Sequence, residues 1–390
     1  METSPAAPSR YNVALLGPGV AARRDTLQRT LAGRLAELGD GLASLVAFLD
    51  GAGVAGRDPA TPLVAVYFAH PSAAPCDLDV LRDLRAASVV IIPVVEDLER
   101  YTAHTPPELH PINGYAPPAD DADLDGLANL VLENLGMLRR TRRLFISYKR
   151  TESSAEALQL RHELDARGYD VFLDTHSVPK GDEFQEVLWQ RMADSDVVVL
   201  LDTPGFLTGR WTQEEFARAA AMTIGIVQVI WPNHTRADYT ELCQPVYLEP
   251  GDLKSGGGLT PDALSRIYLA VEQLRARSVA ARHNNLVREF CDAAALANVS
   301  TSVQPERYIS ATTPRGRVIA IPAVGVPDAL RYHEASSWLV DAAGGPATVV
   351  LVYDQRGLRP RWCAHLDWLD GFLPVKTLRV TAVEDRIARL

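Results

Sequence analysis

Short apolar runs rich in β-branched residues alternate along this chain with stretches in which apolar positions recur every three or four residues. Runs of about four to eight such residues predict buried strands, and the longer period predicts amphipathic helices. Their alternation predicts α/β layers built on mainly parallel sheets. In the first block the pattern predicts strands at Tyr11–Leu16, Leu63–Ala69 and Ser88–Val95, with helices over Ala21–Leu38 and Asp77–Ala87. Residues 96–123, rich in Pro, Asp and His, read as an exposed loop.

The linker Leu138–Arg143 leads directly into a second block with five predicted strands: Leu144–Tyr148, Tyr169–Leu173, Asp196–Leu201, Ile224–Trp231 and Pro245–Leu248. Helices over Ala155–Arg167 and Phe184–Met192 fill its gaps. A Gly- and Ser-rich break at Gly251–Leu259 precedes a long helical stretch, about Pro261 to Ala297, and a last block with strands at Val318–Ile321, Thr348–Tyr353 and Thr377–Val380. The expected division is 1–138, 139–255 and 256–390, three α/β domains in series.

Composition narrows the function classes. Of 390 residues, 47% are hydrophobic and 23% charged, enough apolar surface for packed cores rather than disorder. The formal charge of −10 disfavours a non-specific grip on nucleic acid or on an anionic membrane. Four cysteines are scattered singly, and only Cys363 has a close histidine, His365, so neither a metal site nor a disulfide framework is expected. The opening stretch lacks a charged-then-apolar leader, and no apolar run nears the roughly 18 residues of a membrane span. Cytoplasmic placement is the expectation.

Three motifs in order carry the candidate chemistry. Phe145–Arg150 reads FISYKR at a strand end, Asp174–Phe184 reads DTHSVPKGDEF as a turn, and Ala193–Glu215 holds a strand followed by Trp211 and Glu215 four residues apart. On a helix that spacing puts both side chains on one face. The series, over roughly residues 143–250, resembles the Toll/interleukin-1 receptor (TIR) domain, in particular its NAD+-cleaving type in bacteria. The resemblance implies a flavodoxin-like parallel sheet as the central domain. It also implies that Glu215 is the catalytic carboxylate that cleaves the nicotinamide–ribose bond. Glu214, three residues from Trp211, lies off the family register.

The implied chemistry is coherent. Nicotinamide departs as a neutral base from a cationic linkage, so no proton donor is required, and one carboxylate against the ribose stabilises the oxocarbenium-like sugar. NAD+ is then a substrate, and no cofactor is implied. For substrate binding the resemblance points to Phe145, Ser147 and Tyr148 at the first strand end, and to Lys149, Arg150 and Lys180 for the pyrophosphate. It adds Asp174 and Gly181 in the turn, Ser195 before the third strand, and Trp211 against the ribose. Trp211 also fits plain core packing, and the three cations also fit a solvated surface. Water attack would give ADP-ribose, and attack from within the nucleotide a cyclic product.

The implied setting is a regulated effector of bacterial antiphage defence that self-assembles through its TIR domain under an upstream activating ligand or protein. The alternatives are a non-catalytic TIR scaffold acting through the 174–184 turn, and a producer of a cyclic ADP-ribose-type signal. Ala86–Leu98 and Pro346–Leu369 echo the central Asp194–Ala217, which leads to the expectation that both flanks are degenerate TIR-like or Rossmann-like units. The echo is also what any buried parallel strand would give. Gly17-Pro18-Gly19 lacks the third glycine of a dinucleotide fingerprint and reads as a plain turn. His162, His176 and His333 show no triad spacing.

Overall fold

The computed structural model describes residues 10–59, 61–119, 121–173, 184–206, 222–304, 306–337, 339 and 347–390. The chain divides into two compact units, 1–140 and 141–390.

In the first unit strands β1 (Tyr11–Leu16), β2 (Val46–Leu49), β3 (Leu63–Phe68) and β4 (Val90–Val94) form an all-parallel sheet in the order β2-β1-β3-β4. Helices α1 (Val20–Leu38), α2 (Gly51–Ala55) and α3 (Leu78–Ala86) make the crossovers. A short turn of helix, α4 (Tyr101–His104), and a closing helix, α5 (Asp125–Asn134), follow. α5 is tied to α1 by a buried Arg34–Asp125 ion pair at 2.6 Å. The sheet's core is Ala14, Leu16, Ala65, Tyr67, Leu81 and Ile91, each almost wholly shielded from solvent.

The second unit opens with β5 (Arg142–Ser147), β6 (Tyr169–Leu173), β7 (Val197–Asp202), β8 (Gly225–Ile230) and β9 (Gln244–Tyr247), a five-stranded parallel sheet in the order β6-β5-β7-β8-β9. Helix α6 (Arg150–Ala166) joins β5 to β6, and α7 (Phe184–Asp194) runs into β7. β7 is buried at every position, as a central strand covered on both faces must be. Its alternate residues feed two cores. Val197, Val199 and Leu201 meet α6 and the long helix α8 (Pro261–Leu296), whereas Val198 and Leu200 meet Met192 of α7, with Phe145 of β5 and Phe206.

α8 serves two sheets. Its first half packs Ile267, Tyr268 and Val271 onto the sheet just described, and its second half packs Leu286, Phe290 and Ala294 onto the next. That sheet is mixed: β10 (Ser300–Val303), β11 (Ile309–Thr313) and β12 (Gly316–Pro322) are antiparallel, while β12, β13 (Ala347–Tyr353) and β14 (Lys376–Arg379) run parallel. Helices α9 (Ala329–Ser336) and α10 (Pro360–Leu369) follow β12 and β13, and a last turn, α11 (Val383–Arg386), packs against α8.

The α/β class holds for all three sheets, but the echoing segments do not occupy equivalent strands. The echoing segments fall on β4, fourth strand of its sheet, on β7, third of its sheet, and on β13, fourth of a mixed sheet. Buried strands share their apolar composition wherever they sit. The first sheet repeats the order of the central one over four strands, and the last does not.

Candidate functional site

The order β6-β5-β7-β8-β9 reverses direction between β5 and β7, and a crevice opens at such a switch beyond the carboxyl ends of the two strands. The loops there are Tyr148–Lys149, leaving β5, and Thr203–Phe206, leaving β7. Ser147 and Tyr148 are both buried, Tyr148 within the core under α6. Lys149 starts α6, its carbonyl accepting from the amides of Glu152 and Ser153. Arg150 is exposed.

Lys149 and Glu152 lock the two loops together. The Lys149 Nζ lies 2.5 Å from Glu152 Oε1, and Gly205 N donates to Glu152 Oε2 at 3.0 Å. The ammonium of Lys149, acting first, holds the Glu152 carboxyl down at about 2. A Cβ at position 205 would stand 2.0 Å from Lys149 Nζ and 2.3 Å from Glu152 Oε1, so the pair as it stands occupies the space that a side chain there would take.

A second carboxylate has the opposite character. Asp202 closes β7, is 1% exposed, and accepts from Gln228 Nε2 at 2.7 Å, with His234 Nε2 at 3.1 Å from its other oxygen. Burial pushes its pKa above the ordinary value, against the pull of these partners. His234 is held over the sheet edge by a turn in which its amide donates to the carbonyl of Trp231. The edge thus pairs one carboxylate fixed in its ionised form with one whose charge is disfavoured.

The expected site residues do not all meet here. Ser147, Tyr148, Lys149 and Arg150 share this edge. Phe145 lies deeper, fully buried and stacked on Phe172 with centroids 5.5 Å apart. Ser195 lies at the opposite, amino-terminal edge of β7, its Oγ donating to the carbonyl of Arg191 at 2.8 Å, because it precedes the strand that Asp202 ends. Asp174, Lys180, Gly181, Trp211 and Glu215 lie outside the described residues. The sequence reading passed over Glu152, Asp202 and His234. A signal was there in part: an acid ending one apolar strand and a histidine just past the end of its neighbour come together whenever the two strands are adjacent and parallel.

Elsewhere, the Gly17 amide donates to Asp77 Oδ2 at 2.8 Å, so the chain's own carboxylate takes up a donor that a phosphate would need. Among the described residues no cluster of His, Cys, Asp or Glu is arranged to hold a metal ion, and no helix is long and apolar enough to cross a membrane.

Comparison with known proteins bears on the central sheet. None of the curated proteins matches the chain. Among solved structures, a two-component system response regulator/GGDEF domain protein aligns at 13% identity over 67% of this chain and 100% of its own, with a TM-score of 0.31. An ABC transporter solute-binding protein from R. palustris, in complex with 4-hydroxybenzoate, aligns at 14% identity over 80% of this chain and 90% of its own, with a TM-score of 0.17. At those scores neither adds to the fold. The family model described as TIR domain matches residues 144–256, the whole of the parallel sheet from within β5 to beyond β9. Residues 144–256 of this chain thus form a TIR domain.

Proposed function

We propose that the chain is an NAD+ glycohydrolase whose TIR domain cleaves the nicotinamide–ribose bond through Glu215. The supporting observation is the switch in strand order at the carboxyl ends of β5 and β7, inside the span matching the TIR family, with Trp211 and Glu215 following in sequence soon after β7. In this reading Glu215 stabilises the developing positive charge on the ribose, and Trp211 serves substrate binding. Arg150 supplies an exposed charge for the pyrophosphate, with Lys180 from the 174–183 segment. Lys149 joins them only by exchanging Glu152 for phosphate, since the pair is formed in the resting protein. The cationic leaving group needs no acid, so Asp202 is left to hold Gln228 and His234 at the edge.

Such an enzyme would damage its own cell if unrestrained. The reading therefore includes control by an upstream signal and assembly through TIR domains, as an antiphage effector in the bacterial cytoplasm. The test is nicotinamide release by the full chain against Glu215→Gln. Release by the wild type and its loss in a folded variant supports the reading. Equal release refutes the role of Glu215, and intact NAD+ under assembling conditions favours a TIR scaffold. Chromatography of the products separates ADP-ribose from a cyclic isomer.

A further inference from the structure

Within residues 141–390 a second cavity, of about 310 Å3, opens where the amino-terminal edge of the TIR sheet faces the carboxyl ends of β12 and β13. It lies at the opposite edge of the TIR sheet from the crevice assigned to NAD+, and the two share no residue. One wall comes from Arg143 and from Gln190 and Arg191 of α7, and the other from the loop before α9 and the first turn of α10.

The charges facing the cavity are four arginines against three aspartates. Two of the aspartates are committed to the fold. Arg143 binds Asp194 at 2.6 Å and Asp328 at 3.0 Å, Asp194 also accepts from the amide of Val326, and Asp328 caps α9 through the amide of Arg331. Opposite them, α10 begins in an unusual way. Its first turn contains no acid, its cap is Arg359, and Arg361 and Trp362 follow Pro360. A helix amino terminus carries partial positive charge and ordinarily gathers acids, so Arg361 in the first turn adds like charge to like. Arg361 is exposed and has no ion-pair partner among the described residues. An anion in the cavity would relieve this clustering, and guanidinium groups suit phosphate oxygens in particular. Trp362 is partly exposed in the same lining and offers a flat indole face for an aromatic ring.

We propose that this cavity binds a nucleotide, with its phosphate held by Arg361 at the start of α10 and its base against Trp362. The volume sits at the lower end of small-molecule pockets, roughly 300–1,000 Å3. Arg191, whose guanidinium now lies over the Phe172 ring at 5.0 Å, closes the other side. The bound molecule then bridges α7 to the last domain.

The test is calorimetric titration of the full chain with AMP, adenosine and inorganic phosphate, on wild type, Arg361→Glu and Trp362→Ala, with thermal melts alongside. The expected result is AMP binding that Arg361→Glu weakens at least about tenfold, the loss of one charge-assisted contact. Because an acid at that position suits the helix terminus, the same variant should melt no lower than wild type. Trp362→Ala should weaken AMP and leave inorganic phosphate unchanged. AMP binding that is absent at millimolar concentration, or equal in wild type and Arg361→Glu, overturns the proposal. Phosphate binding as tightly as AMP, or AMP indifferent to Trp362→Ala, overturns the nucleotide assignment.

Discussion

Arg275 of α8 and Asp196, the residue before β7, form an ion pair at 2.9 Å in which neither side chain is exposed at all. The same Asp196 oxygen accepts from the amide of Arg143 at 3.3 Å, so one carboxylate fastens the long helix and the first TIR strand to the third. Removing either partner strands a buried charge. Arg275→Ala or Asp196→Ala should therefore cost about 3–5 kcal/mol, read from urea denaturation, whereas replacing both by apolar residues of similar volume should cost much less. A double variant no better than the singles would show that the pair is not the cause.

The acid limb of stability should depend on Glu152. Its folded pKa, about 2, lies below the ordinary value of 4.5, so the unfolded state binds more protons in between. The contribution is complete above pH 4.5 and is lost as pH falls towards 2. Asp202 works in the opposite sense, since its folded pKa is raised and its burden eases as pH falls. Glu152→Gln should flatten the fall of stability between pH 4.5 and 2 in denaturant titrations at stepped pH. An unchanged slope would remove Glu152 from the account. In the proposed enzyme the same variant frees Lys149 for pyrophosphate, which should lower KM for NAD+ and leave kcat as it was.

Gly205→Ala tests the same clasp without touching a charge. The added methyl meets only the flexible ends of Lys149 and Glu152, so they part while the fold survives. The expected signature is the flattened acid limb of Glu152→Gln with a melting temperature close to wild type at neutral pH. A steep wild-type limb would mean that the pair re-forms around the methyl.

Gly357 is a different kind of glycine. It adopts φ +87 in the loop after β13, and a Cβ there would stand 2.7 Å from Met222 Cε and 3.4 Å from the methyl of Ala193. Gly357→Ala should cost at least about 1–2 kcal/mol in left-handed strain alone, measured by urea denaturation. A loss confined to a few tenths would mean that the loop relaxes away.

How far the sequence disclosed this molecule depended on what each residue was near. Val197–Leu201 and Val349–Val352 announced themselves because a strand covered on both faces must be apolar throughout. Ser300–Val303 and Ile309–Thr313 did not, since β10 is an exposed edge strand and β11 carries hydroxyls on one side, a pattern shared with loops. Val46–Leu49, also at an edge, is only half buried at each position. Lys149 and Arg150 were found from a motif. Glu152, Asp202 and His234 were not, because the contacts of Glu152 with Gly205 and of Asp202 with Gln228 and His234 span 26 or more residues and only the sheet order creates them.

The similarity to the TIR family ends at residue 256, and α8 begins at Pro261. A fragment cut where the resemblance stops would strip Ile267, Tyr268 and Val271 from the flank of the parallel sheet and present raw hydrocarbon to water. Extending the fragment through Leu296 cures that and leaves Leu286, Phe290 and Ala294 bare instead. The seam visible to homology is therefore not the seam at which the polypeptide can be severed, because one helix closes the cores of both sheets.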